Sequence, residues 1–235
     1  MTFLANTLPN QFLSLQALLL CLIILALATF FDYGAFASSL TGKQVGKEGS
    51  EAMALFTWKA SLHNESQTLL SSWVGSNHCS WVGIGCNKAG RVGHIDLHGY
   101  GLKGALSNLS FSSFPHLLTF QLFNNSLCGI IPSRIGSLWR LTYLILSLVD
   151  LELSGNNLTG SIPASIGNLG NLTTLYLYDN QLSGSIPQEI GMLRSLVELV
   201  LSMNNLTGSI PASIGNLVNL TTLYLHHNQL SGLIL

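Results

Sequence analysis

Aliphatic and polar positions in the later part of the chain recur with a period of 24 residues. Asn180, Asn204 and Asn228 stand 24 residues apart. The stretch from Asn156 to Leu177 is repeated from Asn204 to Leu225 with one difference, a Gly replaced by Val. A fixed period of this length indicates a repeat architecture, in which each unit is one coil of a longer stack.

Within each unit the residues follow the pattern LxxLxLxxNxLxGxIPxxIGxL, which is clearest from Leu172 to Leu193. Leu175 and Leu177 alternate with Tyr176 and Tyr178, so the pattern predicts a short strand with its leucines inward and its other side chains outward. Each unit therefore contributes one strand to a parallel sheet.

The next positions of the unit predict how the chain leaves this strand. The Asn180 amide has both donors and acceptors, so it can satisfy backbone groups in the turn and in the next coil. We expect Gly184 to relieve crowding at a bend and Pro187 to mark where the backbone leaves the stack. Five asparagines should form a structural ladder: Asn125, Asn156, Asn180, Asn204 and Asn228.

One unit cannot fold alone. Its buried side chains contribute roughly 1.5 to 3 kcal/mol each, whereas ordering its backbone costs about 1 to 2 kcal/mol per residue. Stacking covers both flanks of each coil, so stability accumulates between neighbours in a curved solenoid.

The segment before the repeats predicts a helical cap. From Glu51 to Leu62, apolar residues including Leu55 and Phe56 fall on one helical face with Ala52 and Leu62, and Ser50 is available as the N-cap. Cys79 and Cys86 follow in CSWVGIGC, and a disulfide between them would seal the apolar end of the stack in a secreted chain.

These motifs resemble the plant-specific leucine-rich repeat, over residues 92–235, and the amino-terminal cap of plant leucine-rich repeat receptor-like kinases, over residues 38–91. Tyr100 replaces the Asn of the first, divergent unit. The resemblance implies an α/β repeat fold: a right-handed solenoid with a parallel concave sheet, short second strands formed by LxGxIP, and a helical amino-terminal cap.

The first 37 residues predict a secretory signal peptide. An apolar run from Leu13 to Phe31 is followed by Ala35-Phe36-Ala37, and cleavage there would start the mature chain at Ser38. The alternative is an uncleaved anchor. Seven Asn-x-Ser/Thr acceptors fit a glycosylated protein of the secretory pathway: Asn64, Asn108, Asn124, Asn157, Asn171, Asn205 and Asn219.

Two features depart from the regular repeat. Pro132 and Pro163 are 31 residues apart, which is either an insertion or the remnant of a lost unit, and we expect a loop from Leu141 to Val149. The chain ends in SGLIL without a recognisable carboxy-terminal cap, so some residues of the last coil should be only half covered: Leu223, Leu225, Leu230 and Ile234.

Composition excludes several functions. Charged residues are 8% of the chain, the net charge is -1 and no basic run occurs, so nucleic acid is not an expected partner. No kinase, hydrolase or cofactor motif is present, so we expect no enzyme activity and no cofactor. His94, Asp96 and His98 share a strand face and could hold a metal ion, but we interpret them as solvent-facing positions. Cys128 is expected to be an inert odd thiol, with intermolecular pairing as the alternative.

The outward row of the predicted sheet is the candidate binding surface. Aromatic residues recur in it, and Tyr offers a large contact area with a polar tip, although Tyr also simply favours strands. The row consists of Gln121, Phe123, Glu152, Tyr176, Tyr178, Val200, Tyr224, His226 and His227.

The resemblance implies an extracellular module that binds a peptide or protein ligand, or a co-receptor ectodomain, at the plasma membrane. Membrane attachment would come only through a downstream segment or an uncleaved signal anchor. The alternatives are a secreted inhibitor of a microbial wall-degrading enzyme and a non-functional truncated receptor-kinase paralogue.

Overall fold

A computed structural model describes residues 48–140 and 150–232, which belong to one unit, Gln44–Leu235. The predicted signal peptide (1–37), the start of the cap (38–47), the expected loop at 141–149 and Ile234 lie outside the described residues.

The cap consists of two helices, a turn and a strand. Helix α1 is Glu48–Ser61, α2 is Asn64–Leu69, a 3-10 turn covers His78–Ser80, and β1 is Ile84–Cys86. Because α1 already begins at Glu48, Ser50 lies inside the helix, and its expected role as the N-cap was wrong. Ala52, Leu55 and Leu62 of the predicted helix face are buried and Phe56 is partly buried. Trp58, which was not predicted to belong to this face, is buried with them.

Three tryptophans are buried in the cap, and one of them, Trp58, bonds to the first coil. Trp58, Trp73 and Trp81 are at most 3% exposed, and the Trp73 and Trp81 rings stack with centroids 5.6 Å apart. Each indole N–H donates to a backbone carbonyl at 2.9 Å: Trp58 to Ala105, Trp73 to Val82 and Trp81 to Val74. Because every polar tip is satisfied, these large side chains can be buried without an unpaired donor.

The repeats form two parallel sheets. In the first sheet, β1 pairs antiparallel with β2, and the remaining strands run parallel. Its later strands are β2 (Val92–Asp96), β4 (Thr119–Gln121), β6 (Asp150–Glu152), β8 (Thr174–Tyr176), β10 (Glu198–Val200) and β12 (Thr222–Tyr224). The second sheet contains β3 (Lys103–Ala105), β5 (Ser126–Ile130), β7 (Asn157–Gly160), β9 (Gln181–Ser185), β11 (Asn205–Gly208) and β13 (Gln229–Leu230).

Short 3-10 helices complete each coil. They cover Phe111–Ser113, Ser133–Arg140, Ala164–Asn168, Gln188–Met192 and Ala212–Asn216. The predicted leucine-rich repeat solenoid, with one parallel strand per unit, short second strands and a helical cap, is confirmed.

Leucine columns between the coils form the core. Leu151, Leu175 and Leu199 pair in register across β6, β8 and β10, and each is at most 2% exposed. In the last described coil, Leu223 is 38% exposed, and Leu225 and Leu230 are partly buried, as expected. The core therefore depends on neighbouring coils covering one another.

The irregular spacing is contained within one coil. Thr119–Gln121 pairs directly with Asp150–Glu152, so strands 31 residues apart are still neighbours in the sheet. The second sheet is continuous at the same place, because Cys128 pairs with Asn157. The extra residues therefore leave the strand pairing of both sheets intact on either side of the segment at 141–149.

Backbone conformation, not crowding, accounts for Gly184. Its φ is +74°, and an added Cβ would come no closer than 3.6 Å to the Ser161 Cβ, so the crowding that we expected there is absent. A left-handed φ favours glycine. Pro187 precedes the 3-10 helix Gln188–Met192, and its carbonyl accepts the Ile190 N–H at 3.2 Å.

Candidate ligand-binding face

The outward side chains of strands β2 to β12 form one continuous surface, which we call the sheet face. In-register pairing arranges them in three columns across the strands. The first column is His94, Thr119, Asp150, Thr174, Glu198 and Thr222. The second is Asp96, Gln121, Glu152, Tyr176, Val200 and Tyr224. The third follows the strands with His98, Phe123, Ser154, Tyr178, Ser202 and His226, of which Ser154 and Ser202 are buried.

The asparagine ladder fixes the spacing of this face. The Asn180 Oδ1 accepts the Leu158 N–H at 3.0 Å, and its Nδ2 donates to the Leu153 carbonyl at 2.9 Å, both in the preceding coil. The same two bonds to the preceding coil are made at the other four positions: Asn125, Asn156, Asn204 and Asn228. The amides therefore bridge back to the previous coil, whereas a contact with the next coil was predicted.

Aromatic rings occupy the carboxy-terminal half of the sheet face. Tyr176 and Tyr178 lie with ring centroids 6.3 Å apart, and Tyr224 and His226 lie 5.9 Å apart. The Tyr176 hydroxyl donates a hydrogen bond to the Glu198 carboxylate, and this bond, helped by burial, raises the pKa of Tyr176 to about 12. The bond holds the Tyr176 ring over β10.

Val200 differs from the expectation for this row. It is only 8% exposed, between Tyr176 and Tyr224 in the second column, so it offers little contact surface. His227 also lies elsewhere: its φ is +54°, which places it in the turn after β12. Asn124, Asp179 and Met203 occupy the same turn position in earlier coils.

The amino-terminal half combines acidic and histidine side chains with the Phe123 ring. The His98 Nδ1 lies 2.6 Å from the Asp96 Oδ1, and the His98 ring stacks on Phe123 with centroids 4.7 Å apart. Burial raises the pKa of Glu152; nearby Asp150 and Asp96 raise it further, while a hydrogen bond from Ser154 and the His98 charge lower it. Crowded carboxylates thus face solvent beside an aromatic ring.

The other predicted members of the row, Gln121, Phe123, Glu152, Tyr176 and Tyr178, are half-buried, and Tyr224 and His226 are exposed. Asp150 and Glu198 were not predicted members of this surface, although their alternation with Glu152 and Val200 marks them as outward. Apart from His227, the predicted row contains residues of the second and third columns only, and therefore lacks the acidic residues of the first.

The possible metal ligands His94, Asp96 and His98 lie on β2 or directly after it, and each makes a side-chain hydrogen bond. The His94 Nδ1 lies 2.9 Å from the Thr119 Oγ1, and Asp96 pairs with His98. Within residues 48–140 and 150–232, the one cluster with metal-ligand geometry is His78, Cys79 and Cys86. Its two sulfurs form a disulfide, so they are not available as thiolate ligands.

The three cysteines of the described ranges are disulfide-bonded. The predicted disulfide between Cys79 and Cys86 is present, with Cα atoms 5.5 Å apart. Cys128, buried at 4% exposure, is also disulfide-bonded in the full chain, whereas the odd thiol was expected in the mature chain that begins at Ser38. Repeat spacing gave no signal for this, because Cys128 occupies an ordinary position of the second sheet.

A buried carboxylate links α1 to the start of the sheet. Glu51 is fully buried, and its Oε1 accepts from the Arg91 Nε at 3.2 Å. Its Oε2 accepts the Val92 N–H at 3.2 Å and lies 3.5 Å from the His78 Nε2. Several partners thus compensate this buried charge, and the site holds the cap in place.

The glycosylation acceptors lie outside the three columns of the sheet face. Six of the seven are exposed, and Asn157 is half-buried on β7. Within the described ranges, no helix combines the length and apolar character needed to cross a membrane.

The fold and its capped, repeated coils define a leucine-rich repeat protein. A model described as "Leucine-rich repeat region" matches residues 102–233, and one described as "Leucine rich repeat N-terminal domain" matches residues 48–87. The chain therefore belongs to the leucine-rich repeat family.

Its curated relatives include Arabidopsis receptor-like kinases. It is 40% identical over 96 residues to the LRR receptor-like serine/threonine-protein kinase RGI3 of Arabidopsis thaliana, a match that covers 40% of this chain and 9% of RGI3. The chain thus spans only a small part of the length of this kinase.

Solved structures with this fold have different ligands. The Arabidopsis receptor kinase HAESA, in complex with the peptide hormone IDA and the co-receptor SERK1, matches with a TM-score of 0.67 and 36% identity over 77% of this chain and 30% of that chain. A plant ice-binding protein matches with a TM-score of 0.69 and 31% identity over 79% of this chain and 58% of that chain.

Proposed function

We propose that this chain is an extracellular ligand-binding module and that its sheet face, the expected concave surface, binds an extended peptide or the ectodomain of a co-receptor. The similarity to HAESA, which is bound to a peptide hormone and a co-receptor, supports this class of ligand. The kinase activity of relatives such as RGI3 is not carried over, because the match covers 9% of RGI3.

The observation that carries the proposal is the composition of the sheet face. The fold alone does not select a ligand, because an ice-binding protein shares it. Here Tyr176, Tyr178 and Phe123 are half-buried, beside carboxylates and imidazoles on the same face. Ordered aromatic rings with polar neighbours are typical of surfaces that bind peptides and proteins.

This function goes with a proposed domain organisation and cellular location. Residues 1–37 would be a signal peptide, residues 38–91 the amino-terminal cap, and residues 92–235 the repeats, exported to the outer face of the plasma membrane. The Cys79–Cys86 disulfide and the exposed acceptors such as Asn64 and Asn219 support export, since both suit an oxidising secretory compartment.

A peptide library displayed on phage tests the proposal. Peptides selected on the wild-type protein should lose at least about tenfold in affinity for a Tyr176→Ala/Tyr224→Ala variant, because large aromatic contacts dominate such interfaces. The matched control is Gln181→Ala/Gln229→Ala, which changes two residues on the second sheet with the same coil separation. Equal binding by all three proteins would refute the proposal.

A further inference from the structure

Charge is segregated on this protein although its net charge is only -1. Five acidic residues lie on the sheet face or in its adjoining turn: Asp96, Asp150, Glu152, Asp179 and Glu198. Among the described residues, no Lys or Arg lies on that face. Lys59, Arg91 and Lys103 instead bond to groups of the cap and first coil.

The carboxylates recur on every second strand. In the second column, Asp96 on β2 and Glu152 on β6 are separated by β4. In the first column, Asp150 on β6 and Glu198 on β10 are separated by β8. Since neighbouring strands are about 4.8 Å apart, carboxylates in one column are about 9.6 Å apart across the sheet.

This spacing selects a ligand conformation. A polyproline II helix has three residues per turn and a rise of about 3.1 Å, so every third side chain points the same way at about 9.3 Å intervals. In an extended β-strand, side chains on one face are about 6.6 or 13 Å apart, which does not match the carboxylates.

We propose that the sheet face binds a cationic peptide in the polyproline II conformation, running across the strands, with Lys or Arg at every third residue. This inference deepens the proposed function and rests on it. The ligand is defined by charge complementarity to Asp96, Glu152 and the pair Asp150 and Glu198.

The remaining contacts of the face suit the same ligand. Phe123, Tyr176 and Tyr178 lie beside the carboxylates and offer ring faces on which a guanidinium can stack. Glu152 is partly desolvated next to like charges, and a ligand cation would relieve that repulsion. The peptide would thus gain charge pairing and aromatic contact at the same time.

Three synthetic peptides test the proposal against the glycosylated, oxidised protein. The probe is a proline nonapeptide with Arg at every third position. The second peptide has the same composition with its Arg residues at alternate positions, and the third replaces every Arg by Glu. Calorimetric titration should show the probe binding at least about fivefold more tightly than the second peptide, with no binding of the third.

Protein variants locate the contact. Asp150→Asn/Glu152→Gln should weaken probe binding by about tenfold and reduce its dependence on salt, since two charge pairs are lost. Glu189→Gln, which removes an exposed carboxylate outside the sheet face, should leave probe binding unchanged.

Equal binding of the first two peptides would overturn the proposed match between the Arg spacing and the carboxylate spacing. So would a loss of probe binding in Glu189→Gln as large as that in Asp150→Asn/Glu152→Gln. This failure differs from failure of the proposed function. If library peptides still depend on Tyr176 and Tyr224 while the arginine probe does not bind, the sheet face is a binding surface and only the cationic ligand is wrong.

Discussion

Gly167 and Gly215 occupy the same position of two identical segments, yet their surroundings differ. A Cβ on Gly167 would lie 2.4 Å from the Glu189 carbonyl oxygen of the next coil. Among the described residues, a Cβ on Gly215 would meet no atom within 4 Å. Because the segments share the sequence ASIGNL, the difference comes only from the coil that packs against the first glycine.

This relationship gives a prediction about stability. Gly167→Ala should lower the free energy of unfolding by about 1 to 3 kcal/mol, because the Glu189 backbone must move. Gly215→Ala should be neutral or slightly stabilising, since it only restricts the unfolded chain. Urea denaturation followed by circular dichroism measures both, and equal destabilisation by the two variants would contradict the coil-on-coil account.

The asparagine ladder should be strongest in its interior. Asn180→Ala leaves the buried Leu158 N–H without its acceptor and removes one of the two amide donors to the Leu153 carbonyl, which keeps its bond from Asn156, so we expect a loss of about 1 to 3 kcal/mol in unfolding free energy. Asn228→Ala breaks the equivalent bonds where the side chain is partly exposed and water can replace them. Denaturation midpoints should show the larger shift for Asn180, and the reverse order would argue against the ladder's role.

Met203 carries a conformational cost. Its φ is +56°, in the left-handed region, and its side chain is 50% exposed. Asn tolerates this conformation and already occupies the position as Asn124, so Met203→Asn should raise the unfolding free energy by about 1 kcal/mol. Met192→Asn is the control, because Met192 is similarly exposed in a 3-10 helix. A gain in both variants, or in neither, would show that the backbone is not the cause.

Glu152 should make stability depend on pH. Its pKa in the folded protein is raised above its ordinary value of 4.5, so the folded state holds the proton more tightly than the unfolded chain. The free energy of unfolding should therefore fall as the pH rises from about 4.5 through the folded pKa, and then level off.

Glu152→Gln removes the titrating group, so this fall in the free energy of unfolding with rising pH should disappear. The substitution should stabilise the protein at pH 7 by less than about 1 kcal/mol, because the carboxylate is only half-buried and water still screens it, and should give no gain at pH 3. Thermal melting at both pH values, with Glu189→Gln as the control, measures the effect. A gain that is the same at pH 3 and pH 7 would rule out titration of Glu152 as its source.

The sequence predicted features that repeat with the coil. The inward position of Leu175 and the alignment of Asn180 with Asn204 follow from spacing alone, because each unit must present the same apolar columns to its neighbours. The outward direction of Tyr176 follows from strand alternation.

Features that depend on neighbouring coils could not be predicted from one unit. Val200 is outward by alternation but is buried between Tyr176 and Tyr224, which are distant along the chain. The turn position of His227 depends on a left-handed φ that the local sequence does not encode, because Asn, Asp, Met and His all occupy it. The disulfide state of Cys128 likewise depends on tertiary contacts that the repeat pattern does not report.

Hydroxyl-radical footprinting tests the central claim, that the sheet face binds the ligand, most directly. The measurement compares oxidation of Tyr176, Tyr178 and Tyr224 with that of Met192, which is 54% exposed on a 3-10 helix, before and after addition of a library-selected peptide. We predict protection of the three tyrosines and unchanged oxidation of Met192. Protection of Met192 with the tyrosines still fully reactive would contradict the account.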